Sequence, residues 1–579
     1  MESIKTIFLT TILFYCITIC YAQKKEVFIV EEGKIAPVER KEMLPKKISA
    51  LTKLESYIPG YISKKQADGF LSFSVDTIIE NEKQFQIHIF KGQRYDTKTI
   101  VVGKKEQLLL QEAKLTSFIK EDNISIQQYP DLANKVVSYY ENRGFPFSQV
   151  FLDSITIQNG QIEAKLKIER NQFILFDSII LKGNAKLSYS YLYPYLGLRK
   201  NKPYDEKVIR KIPQRMQELP FVTQALPAGI EFINDKAYLY VYLDKQRVNQ
   251  FDGIIALVPV DEQSGKVALS GELNLGLKNV FTLGESISLE WRSPNRFSQY
   301  LNIKANFPYL FRTPFGVDGA FLLDKTDTSY LSINYPIGLQ YSFNGNNYIK
   351  TYLDLSSSRI LNKELLVITP DDITYADFNK QLYGIELMIR QLDYIYNPRK
   401  GFTLVINGAA GKIKIKQNHA VDPEVYDGVE MERTRYRLLG DVKGYIPLGK
   451  RFVLHVNAHF GTIVGENNLE NELFKIGGFK TLRGFDEHSI LASTYAVGLA
   501  EARYLFAKNS YIHLFYNMAG YEHSTTISYV KDYPIGFGAG VAFQTKAGLF
   551  NLIYALGRQF DNPISFKSGK IHFGIVLNF

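Results

Sequence analysis

Ile571-His572-Phe573-Gly574-Ile575-Val576-Leu577-Asn578-Phe579 ends the chain on an alternating, aromatic-terminated pattern. On a β-strand the odd-numbered residues, all apolar, share one face, and the even-numbered residues share the other. A soluble protein rarely ends on a bare hydrophobic strand, because its open edge invites aggregation. A closed membrane barrel can do so, because its last strand pairs with its first. The stretch therefore predicts a transmembrane antiparallel β-barrel; the alternative is an ordinary terminal strand.

The same nine residues also resemble the C-terminal signal by which bacterial outer-membrane barrels are recognised for assembly. That signal places a polar residue, a glycine, a hydrophobic residue and a final aromatic residue at fixed spacing. The matching positions are His572, Gly574, Leu577 and Phe579.

The N-terminus indicates export. Residues 6–22 are almost wholly apolar after Lys5, and Cys20-Tyr21-Ala22 offers a cleavage site. Residues 1–22 are therefore predicted to be a signal peptide, with a membrane anchor as the alternative. Cys16 and Cys20 both lie inside this segment, so the mature chain would contain no disulfide or thiolate metal site.

Composition excludes several classes of function. The net charge is +10, but the basic residues are dispersed and no nucleic-acid motif appears, so no nucleic-acid partner is expected. Tyrosine and phenylalanine are abundant, which suits the aromatic girdles of a barrel. Hydrolase, metalloprotease and nucleotide-binding motifs are missing from the sequence. His455 and His459 would lie about 13 Å apart on a strand, too far to share a metal. We therefore expect no enzymatic activity, no catalytic residues, no cofactor and no metal.

Residues 248–579 read as one strand after another. Stretches of about 10 residues alternate an apolar face with a charged face, as tilted membrane strands require. At roughly 20 residues per strand and turn, the region predicts a barrel of about 16 strands. Polar stretches near 361–380 and 416–435 are predicted to be external loops.

Residues 24–247 mix helices with strands. An amphipathic helix is predicted at 132–144, with strands at 149–157 and 161–170 joined at Asn159-Gly160. A similar unit follows, with helices near 187–196 and 204–218 and strands at 221–233 and 236–244. An earlier copy near 45–95 is less complete, which suggests a tandem array.

The order of a strand, two helices and two strands resembles the POTRA domain, a periplasmic polypeptide-transport-associated module. The phrases at 140–145 and 179–184 are similar to segments of that family. The resemblance implies a partial or divergent POTRA-like region at 23–95, POTRA domains at 96–171 and 172–247, and the barrel at 248–579.

One segment separates this barrel from a simple porin. Residues 472–485, ELFKIGGFKTLRGF, resemble the signature of the outer-membrane assembly-factor superfamily that includes BamA, TamA and the two-partner secretion transporters. The resemblance implies a sixth external loop that folds back into the lumen. Its motif residues are Gly477, Gly478, Arg483, Gly484 and Phe485. The candidate partners of Arg483 on the barrel wall are Glu501 and Asn517, where Asn517 replaces the aspartate of the family.

The resemblance implies an outer-membrane protein with periplasmic POTRA domains that inserts or translocates other polypeptides. Its expected partners are unfolded outer-membrane or secreted polypeptides, periplasmic chaperones or accessory subunits, and outer-membrane lipid. We expect clients to enter a weak lateral seam between the first strand, near 267–278, and the last, 571–579. A dedicated two-partner secretion transporter and a passive channel are the alternatives.

Overall fold

The computed structural model describes most of the chain after the N-terminal segment. The described residues are 25–578 except 39–42, 49, 71, 82, 95–98, 159–160, 260–266, 294–296, 363–364, 366–367, 370–371, 419–422, 546–547, 561, 563, 565 and 567–568. The predicted signal peptide, the Asn159-Gly160 turn and Phe579 lie outside the described residues. The chain divides into two compact units, the first being 1–175, 201–207 and 234–236, and the second the remainder.

The first unit begins with a small α/β sheet. Its strands are β1 (Lys25–Glu31), β2 (Lys34–Pro37), β3 (Lys47–Ile48), β4 (Ser74–Glu80) and β5 (Gln84–Phe90), and its helices are α1 (Leu51–Glu55) and α2 (Ile58–Ala67). The strand order is β2-β1-β5-β4, with β3 also on β1, and β1 runs parallel to β5. A strand, two helices and two strands are thus all present, together with the additional strands β2 and β3.

A second α/β sheet follows in the same unit. Its elements are β6 (Thr99–Val102), α3 (Lys104–Glu112), β7 (Asn123–Ile124), α4 (Tyr129–Glu141), β8 (Gln149–Gln158) and β9 (Gln161–Glu169). Helix α4 buries Leu132, Val136 and Tyr140, which are spaced four residues apart and so form one stripe. That stripe packs with Leu166 and Ile168 of β9 in a single core.

The third α/β region differs in its helices from the prediction. Its elements are β10 (Leu175–Lys182), α5 (Tyr189–Leu196), β11 (Lys202–Pro203), α6 (Glu206–Ile209), α7 (Ile212–Gln217), β12 (Val222–Ile233) and β13 (Lys236–Lys245). Strand β13 lies between β10 and β12. The single helix expected near 204–218 is instead two short helices. Pro213 lies in the first turn of α7, where its missing N–H has no helical partner to lose.

The rest of the second unit is a closed antiparallel barrel. Its strands are β14 (Gln250–Pro259), β15 (Val267–Lys278), β16 (Ser286–Ser293), β17 (Gln299–Phe307), β18 (Phe315–Thr326), β19 (Tyr330–Asn334), β20 (Ile337–Asn344), β21 (Asn347–Ile360), β24 (Asp377–Leu392), β25 (Gly401–Lys416), β26 (Glu432–Pro447), β27 (Phe452–Val464), β30 (Thr494–Ala507), β31 (Ser510–Ser524), β32 (Tyr529–Asp532), β33 (Ile535–Gln544), β34 (Gly548–Arg558) and β35 (Lys570–Asn578). Two loop hairpins account for the other strands, β22 (Ile368–Thr369) with β23 (Asp372–Ile373) and β28 (Phe474–Ile476) with β29 (Ile490–Ala492).

The barrel has sixteen strands among the described residues, as predicted. Eighteen segments close the ring, but two pairs of segments are each one interrupted strand. Strands β19 and β20 both pair with β18 and β21, and strands β32 and β33 both pair with β31. Pro336 and Pro534 lie at the two interruptions. Proline has no N–H to give to a β-ladder, which explains the breaks.

The first barrel strand differs from the prediction. It is β14, at 250–259, whereas the stretch at 267–278 is the second strand. The expected external loops also shift, to 361–376 and 417–431, because the neighbouring strands extend further than expected. The loop between β27 and β30 is the sixth at its end of the barrel.

Side chains along the barrel strands alternate between an apolar outside and a mixed interior. On β31 the outward side chains Ile512, Leu514, Tyr516 and Met518 are exposed, whereas the intervening residues are buried. This is the pattern of a strand that faces lipid on one side. In the described part of the chain, no helix has the length and apolar character needed to cross a bilayer.

The third α/β region packs against one end of the barrel, here called the domain end; the opposite end is the far end. Tyr191 and Tyr195 stack, with ring centroids 5.3 Å apart, and Tyr191 also meets Tyr309 of a barrel turn edge-on. Arg215 Nη2 donates to Asn344 Oδ1 at 2.6 Å. Burial raises the pKa of Tyr309 to about 12. Its phenol is therefore neutral and donates to the Gly345 carbonyl.

Candidate functional site

The segment at 465–493, here called the inner loop, lies against inward-facing residues of the barrel. Its β28 and β29 form a hairpin, with Phe474 opposite Ala492. From this hairpin the motif residues project toward the wall formed by β30 to β34. The loop therefore occupies part of the barrel lumen.

Paired glycines reverse the backbone at the hairpin tip. Gly477 and Gly478 have φ of 112° and 92°, values that residues with a Cβ rarely adopt. The turn is closed by hydrogen bonds from the Gly477 amide to Thr481 Oγ1 and from the Gly478 amide to the Leu482 carbonyl. The glycine pair of the motif therefore sets the direction of the arginine that follows.

Arg483 meets the predicted acidic residue on the barrel wall. Its Nη1 donates to Glu501 Oε2 at 2.5 Å, and the Glu501 side chain is only 1% exposed. The guanidinium carbon also lies 4.8 Å from the centre of the Phe515 ring, a cation–π contact. The structure thus brings together the loop arginine and the strand β30 carboxylate that the motif suggested.

Glu501 is shared by a second arginine, which the sequence analysis missed. Arg503 Nε donates to Glu501 Oε1 at 2.6 Å, and His513 Nδ1 lies 3.7 Å from the same oxygen. Arg503 and Glu501 are two residues apart on one strand and so face the same side. The two-residue spacing of these opposite charges is the sequence signal from which their contact could be predicted.

Arg503 extends this network toward the domain end. Its Nη1 lies 3.5 Å from Oδ1 of Asn397, a buried residue of the turn between β24 and β25. Asn397 Nδ2 in turn donates to the Lys508 carbonyl at 3.1 Å. In the same turn Asp393 Oδ1 accepts from the Arg399 and Lys400 amides. One polar chain therefore connects the inner loop to a turn at the domain end.

Asn517 is near Arg483 but contacts its backbone rather than its charge. Asn517 Nδ2 donates to the Arg483 carbonyl at 3.3 Å, and Asn517 Oδ1 is buried without a hydrogen-bond partner in the structure. A Cβ at Gly536, on the next strand, would lie 2.1 Å from the same carbonyl. The loop backbone thus approaches the wall closely where the wall has no side chain. Asn517 is a support for the loop, not a second partner for the guanidinium.

The last two motif residues hold the loop to the wall by packing. Gly484 has φ of 98°, and a Cβ there would lie 2.6 Å from the Leu556 carbonyl. Phe485 is 8% exposed and joins a core cluster that contains both loop and strand residues. The members of that cluster are Ile476, Leu482, Phe485, Ile490, Ala492, Tyr495, Val497, Ala519 and Tyr521.

A second buried ion pair fixes the base of the inner loop. Arg435 of β26 donates from Nη2 to Glu472 Oε1 at 2.9 Å, and the two side chains are 2% and 0% exposed. Glu472 also accepts from the Leu469 amide. Glu472 is the first residue of the quoted motif, but its partner lies 37 residues earlier on another strand. Sequence spacing alone could not identify it.

The barrel closes at a weak seam between β14 and β35. Only two described positions pair there, Gln250 with Asn578 and Phe251 with Leu577, against ten between β14 and β15. Gly271 and Gly276, which reduce side-chain packing in the stretch predicted as the first strand, belong to the second strand and lie outside the seam. The seam is therefore weak because the pairing between β14 and β35 is short, not because of these glycines.

The inner loop also contacts the last strand from inside. Asp486 lies 2.8 Å from Lys570 Nζ, and the Phe479 ring lies 6.0 Å from the imidazole of His572. His572 and Gly574 line the space between the loop tip and the barrel wall. Leu577 pairs in the seam. The candidate C-terminal signal thus spans the seam strand, with Phe579 outside the described residues.

The residues gathered here can hold a loop and a strand in place. In the described part of the chain, no group of three or more His, Cys, Asp or Glu side chains could hold a metal ion. His459 contacts the hydroxyl of Tyr495 at 2.9 Å, and His455 stacks on Tyr445.

A closed sixteen-stranded antiparallel barrel with a loop fastened inside it, preceded by small α/β domains, defines a class of outer-membrane protein. The profile of the Omp85 superfamily domain matches residues 267–579, more than half of the chain. The chain belongs to the Omp85 superfamily. The expected family and fold class are confirmed.

Three solved structures illustrate the likeness. CdiB from Escherichia coli has a TM-score of 0.53 at 14% identity, covering 89% of this chain and 95% of that one. CdiB from Acinetobacter baumannii has a TM-score of 0.51 at 15% identity, covering 91% and 97%. BamA from Haemophilus ducreyi lacking POTRA domains 1–3 has a TM-score of 0.43 at 14% identity, covering 84% and 99%. No curated protein matches the chain by sequence.

Proposed function

We propose that this protein inserts or translocates other polypeptides at the bacterial outer membrane, with its POTRA domains in the periplasm. Unfolded outer-membrane or secreted polypeptides are its clients, and periplasmic chaperones or accessory subunits deliver them. The proposal assigns the chain no enzymatic reaction. The observation that carries it is the two-position seam between β14 and β35.

The energetics of that seam favour opening. Beyond the two paired positions, Asp252–Pro259 of β14 and Lys570–Val576 of β35 do not pair with each other. A backbone hydrogen bond contributes roughly 0.5–1.5 kcal/mol net, so separating the seam costs little compared with separating two fully paired strands. An open strand edge is also a template for a further strand. A client strand can therefore add to the barrel at this position.

The POTRA sheets offer edges for earlier capture. Strand β12 is a twelve-residue edge strand, on which Leu226 is 56% exposed and Ile233 is 46% exposed. Strand β8 is another edge, with Ile155 51% exposed. Such edges bind extended peptides by main-chain hydrogen bonds, while exposed apolar side chains add contact area. We assign them the first contact with clients.

Dedicated transport through the lumen is the second candidate. The inner wall of the barrel carries a ladder of charges, in which Lys350 lies 3.2 Å from Asp318 and 3.0 Å from Glu386. Arg437 and Asp354 add a pair at 2.7 Å. A polar lumen of this kind favours a hydrated path for one unfolded substrate. A passive channel is disfavoured by the inner loop that occupies the lumen.

Depletion of the protein followed by quantitative proteomics of the outer membrane distinguishes these functions. A fall in many barrel proteins is the result expected for an assembly factor. Loss of one secreted or surface protein would support the dedicated transporter instead. Unchanged protein content, with altered solute or lipid traffic, would contradict both.

The depletion needs a matched control. Wild-type protein supplied from a second locus should restore the proteome. The variant with the seam locked by cysteines at 250 and 578 should not restore it, although it reaches the membrane. Full restoration by the locked variant would contradict a function that depends on seam opening.

A further inference from the structure

The outer wall of the barrel carries a groove that no step of the proposed function uses. It has a volume of about 980 Å³ and lies across β18, β20, β21, β24, β25 and β26. Its outward lining is almost wholly apolar, with Tyr383 62% exposed and Ile385 57% exposed. The groove therefore faces the hydrocarbon of a bilayer.

Two small residues create the floor of the groove. Strand β25 presents Ala410 and Gly408 outward, in register with Tyr383 and Ile385 on β24. On the other side they are in register with Tyr436 and Leu438 of β26. A column of small residues between two columns of large ones leaves a notch along the strand. A Cβ built at Gly408 has no atom within 4 Å, so the notch is open there.

The same column becomes basic toward the far end. Lys412 and Lys414 follow Ala410 on the outward face of β25, and the Lys412 side chain is 67% exposed. Because a strand rises about 3.4 Å per residue, Lys412 lies about 14 Å from Gly408. Glu432 of β26, opposite Lys414, is ion-paired with Lys412. Cations, aromatic rings and an apolar notch thus follow one another along β25 and its two neighbouring strands.

We propose that this groove binds an anionic membrane lipid, with a head-group phosphate at Lys412 and Lys414 and an acyl chain in the notch over Gly408. Lysine ammonium groups bind phosphate as point charges. Tyrosines suit the boundary between head group and hydrocarbon, where Tyr383 and Tyr436 lie. The opposite charges of phosphate and lysine select the head group, and the notch selects the chain. The far-end location rests on the membrane orientation proposed above.

Native mass spectrometry of the purified full chain in a neutral detergent tests the site. The probes are diphosphorylated lipid A and the same lipid without its phosphates. The wild type should retain one molecule of the phosphorylated form in preference to the dephosphorylated form. The double variant K412Q/K414Q should bind the phosphorylated form about thirtyfold more weakly, since each lysine near a charged lipid contributes on the order of a fivefold effect.

Two further variants separate the head group from the chain. G408L should fill the notch and weaken both lipids about tenfold, because it excludes several buried methylenes of the chain. E432Q should strengthen binding of the phosphorylated form about two- to fivefold, since it removes a competing carboxylate. This gain cannot result from misfolding. K531Q is the matched control, because Lys531 is an exposed lysine elsewhere on the far end and also lies near a carboxylate, 3.5 Å from Glu522. It should change the affinity for neither form of the lipid.

Three results would overturn the proposal. Equal retention of the phosphorylated and dephosphorylated lipid would remove the head-group assignment. Wild-type affinity in G408L would show that the notch does not bind the acyl chain. Weaker binding in E432Q would show that the carboxylate is part of the site rather than a competitor. The measurement uses no client protein, so its failure would leave the proposed assembly function intact.

Discussion

The wall built by β24, β25 and β26 and the seam between β14 and β35 belong to one closed sheet but differ greatly in pairing. Strands β24 and β25 pair at sixteen positions, and β25 and β26 pair at fourteen. The seam pairs at two. Since ladder hydrogen bonds act together, the wall is the part that keeps the barrel folded. The seam is the part that can change without unfolding the rest.

The contacts of the inner loop also differ in strength between the strands away from the seam and the seam itself. Two buried ion pairs fasten the inner loop to strands away from the seam, Arg483 with Glu501 of β30 and Glu472 with Arg435 of β26. Toward the seam it makes weaker contacts, of which the pair between Asp486 and Lys570 is largely exposed. A loop held firmly at one side can remain in place while the last strand moves.

Amide hydrogen exchange should reveal the largest difference between these regions. The amides of 252–258 and 570–576 that point into the seam should exchange with opening free energies near zero, whereas those of β24 and β25 should approach the global value. On β14, the amides that point toward β15 provide an internal control and should be protected. Equal protection on both edges of β14 would contradict the comparison.

Substitution of Glu501 by glutamine should be the most destabilising change within the inner-loop site. It removes the carboxylate shared by Arg483 and Arg503 and leaves one buried and one partly buried guanidinium group without a charge partner. Breaking a buried ion pair in this way costs about 3–5 kcal/mol. The midpoint of urea unfolding, followed by heat-modifiable gel mobility, measures the loss.

Glu522→Gln is the matched control for this change. Glu522 lies on the adjacent strand β31, but its ion pair with Lys531 is exposed. We expect the control to unfold like the wild type. A similar loss in both variants would show that the effect is not specific to the buried network.

Arg483→Ala should have a smaller effect on stability and a larger one on activity. Glu501 keeps Arg503 as a partner, so the loss is limited to a charged hydrogen bond, about 1.5–3 kcal/mol. The barrel should still insert, but the inner loop should leave the wall and assembly should fall. Lys480→Ala, at a 75% exposed residue of the same loop, should leave both properties unchanged. Normal activity of Arg483→Ala with an unmoved loop would remove the role assigned to the arginine.

Alternation and motif spacing predicted much of this architecture. The barrel, its strand number and the contact between Arg483 and Glu501 could be predicted because each depends on residues close in sequence or on a resemblance. The helix α4 could be predicted because its apolar stripe has the helical period. Each of these features has a short-range signal.

The missed features lack such a signal. Strand β14 was overlooked because its sequence, QFDGIIALVP, places two isoleucines side by side and includes a glycine and a proline, which obscures the alternation. The pair between Arg435 and Glu472 joins a strand to a loop and depends on the closed barrel. Asn517 contacts the backbone of Arg483, not the guanidinium as expected from the motif, because the loop presents the Arg483 carbonyl to it. In each case the feature depends on the closed barrel, which brings together residues that are distant in sequence.

The most direct test of the account is a disulfide across the seam. Gln250→Cys with Asn578→Cys pairs two residues that are in register, and strands at that spacing bring their Cα atoms within disulfide range. Phe251→Cys with Leu275→Cys, across the fully paired β14 and β15, is the matched control. The oxidised seam variant should lose assembly activity, reduction should restore it, and the control should be active in both states. Full activity of the oxidised seam variant would contradict the claim that the protein works by opening this seam.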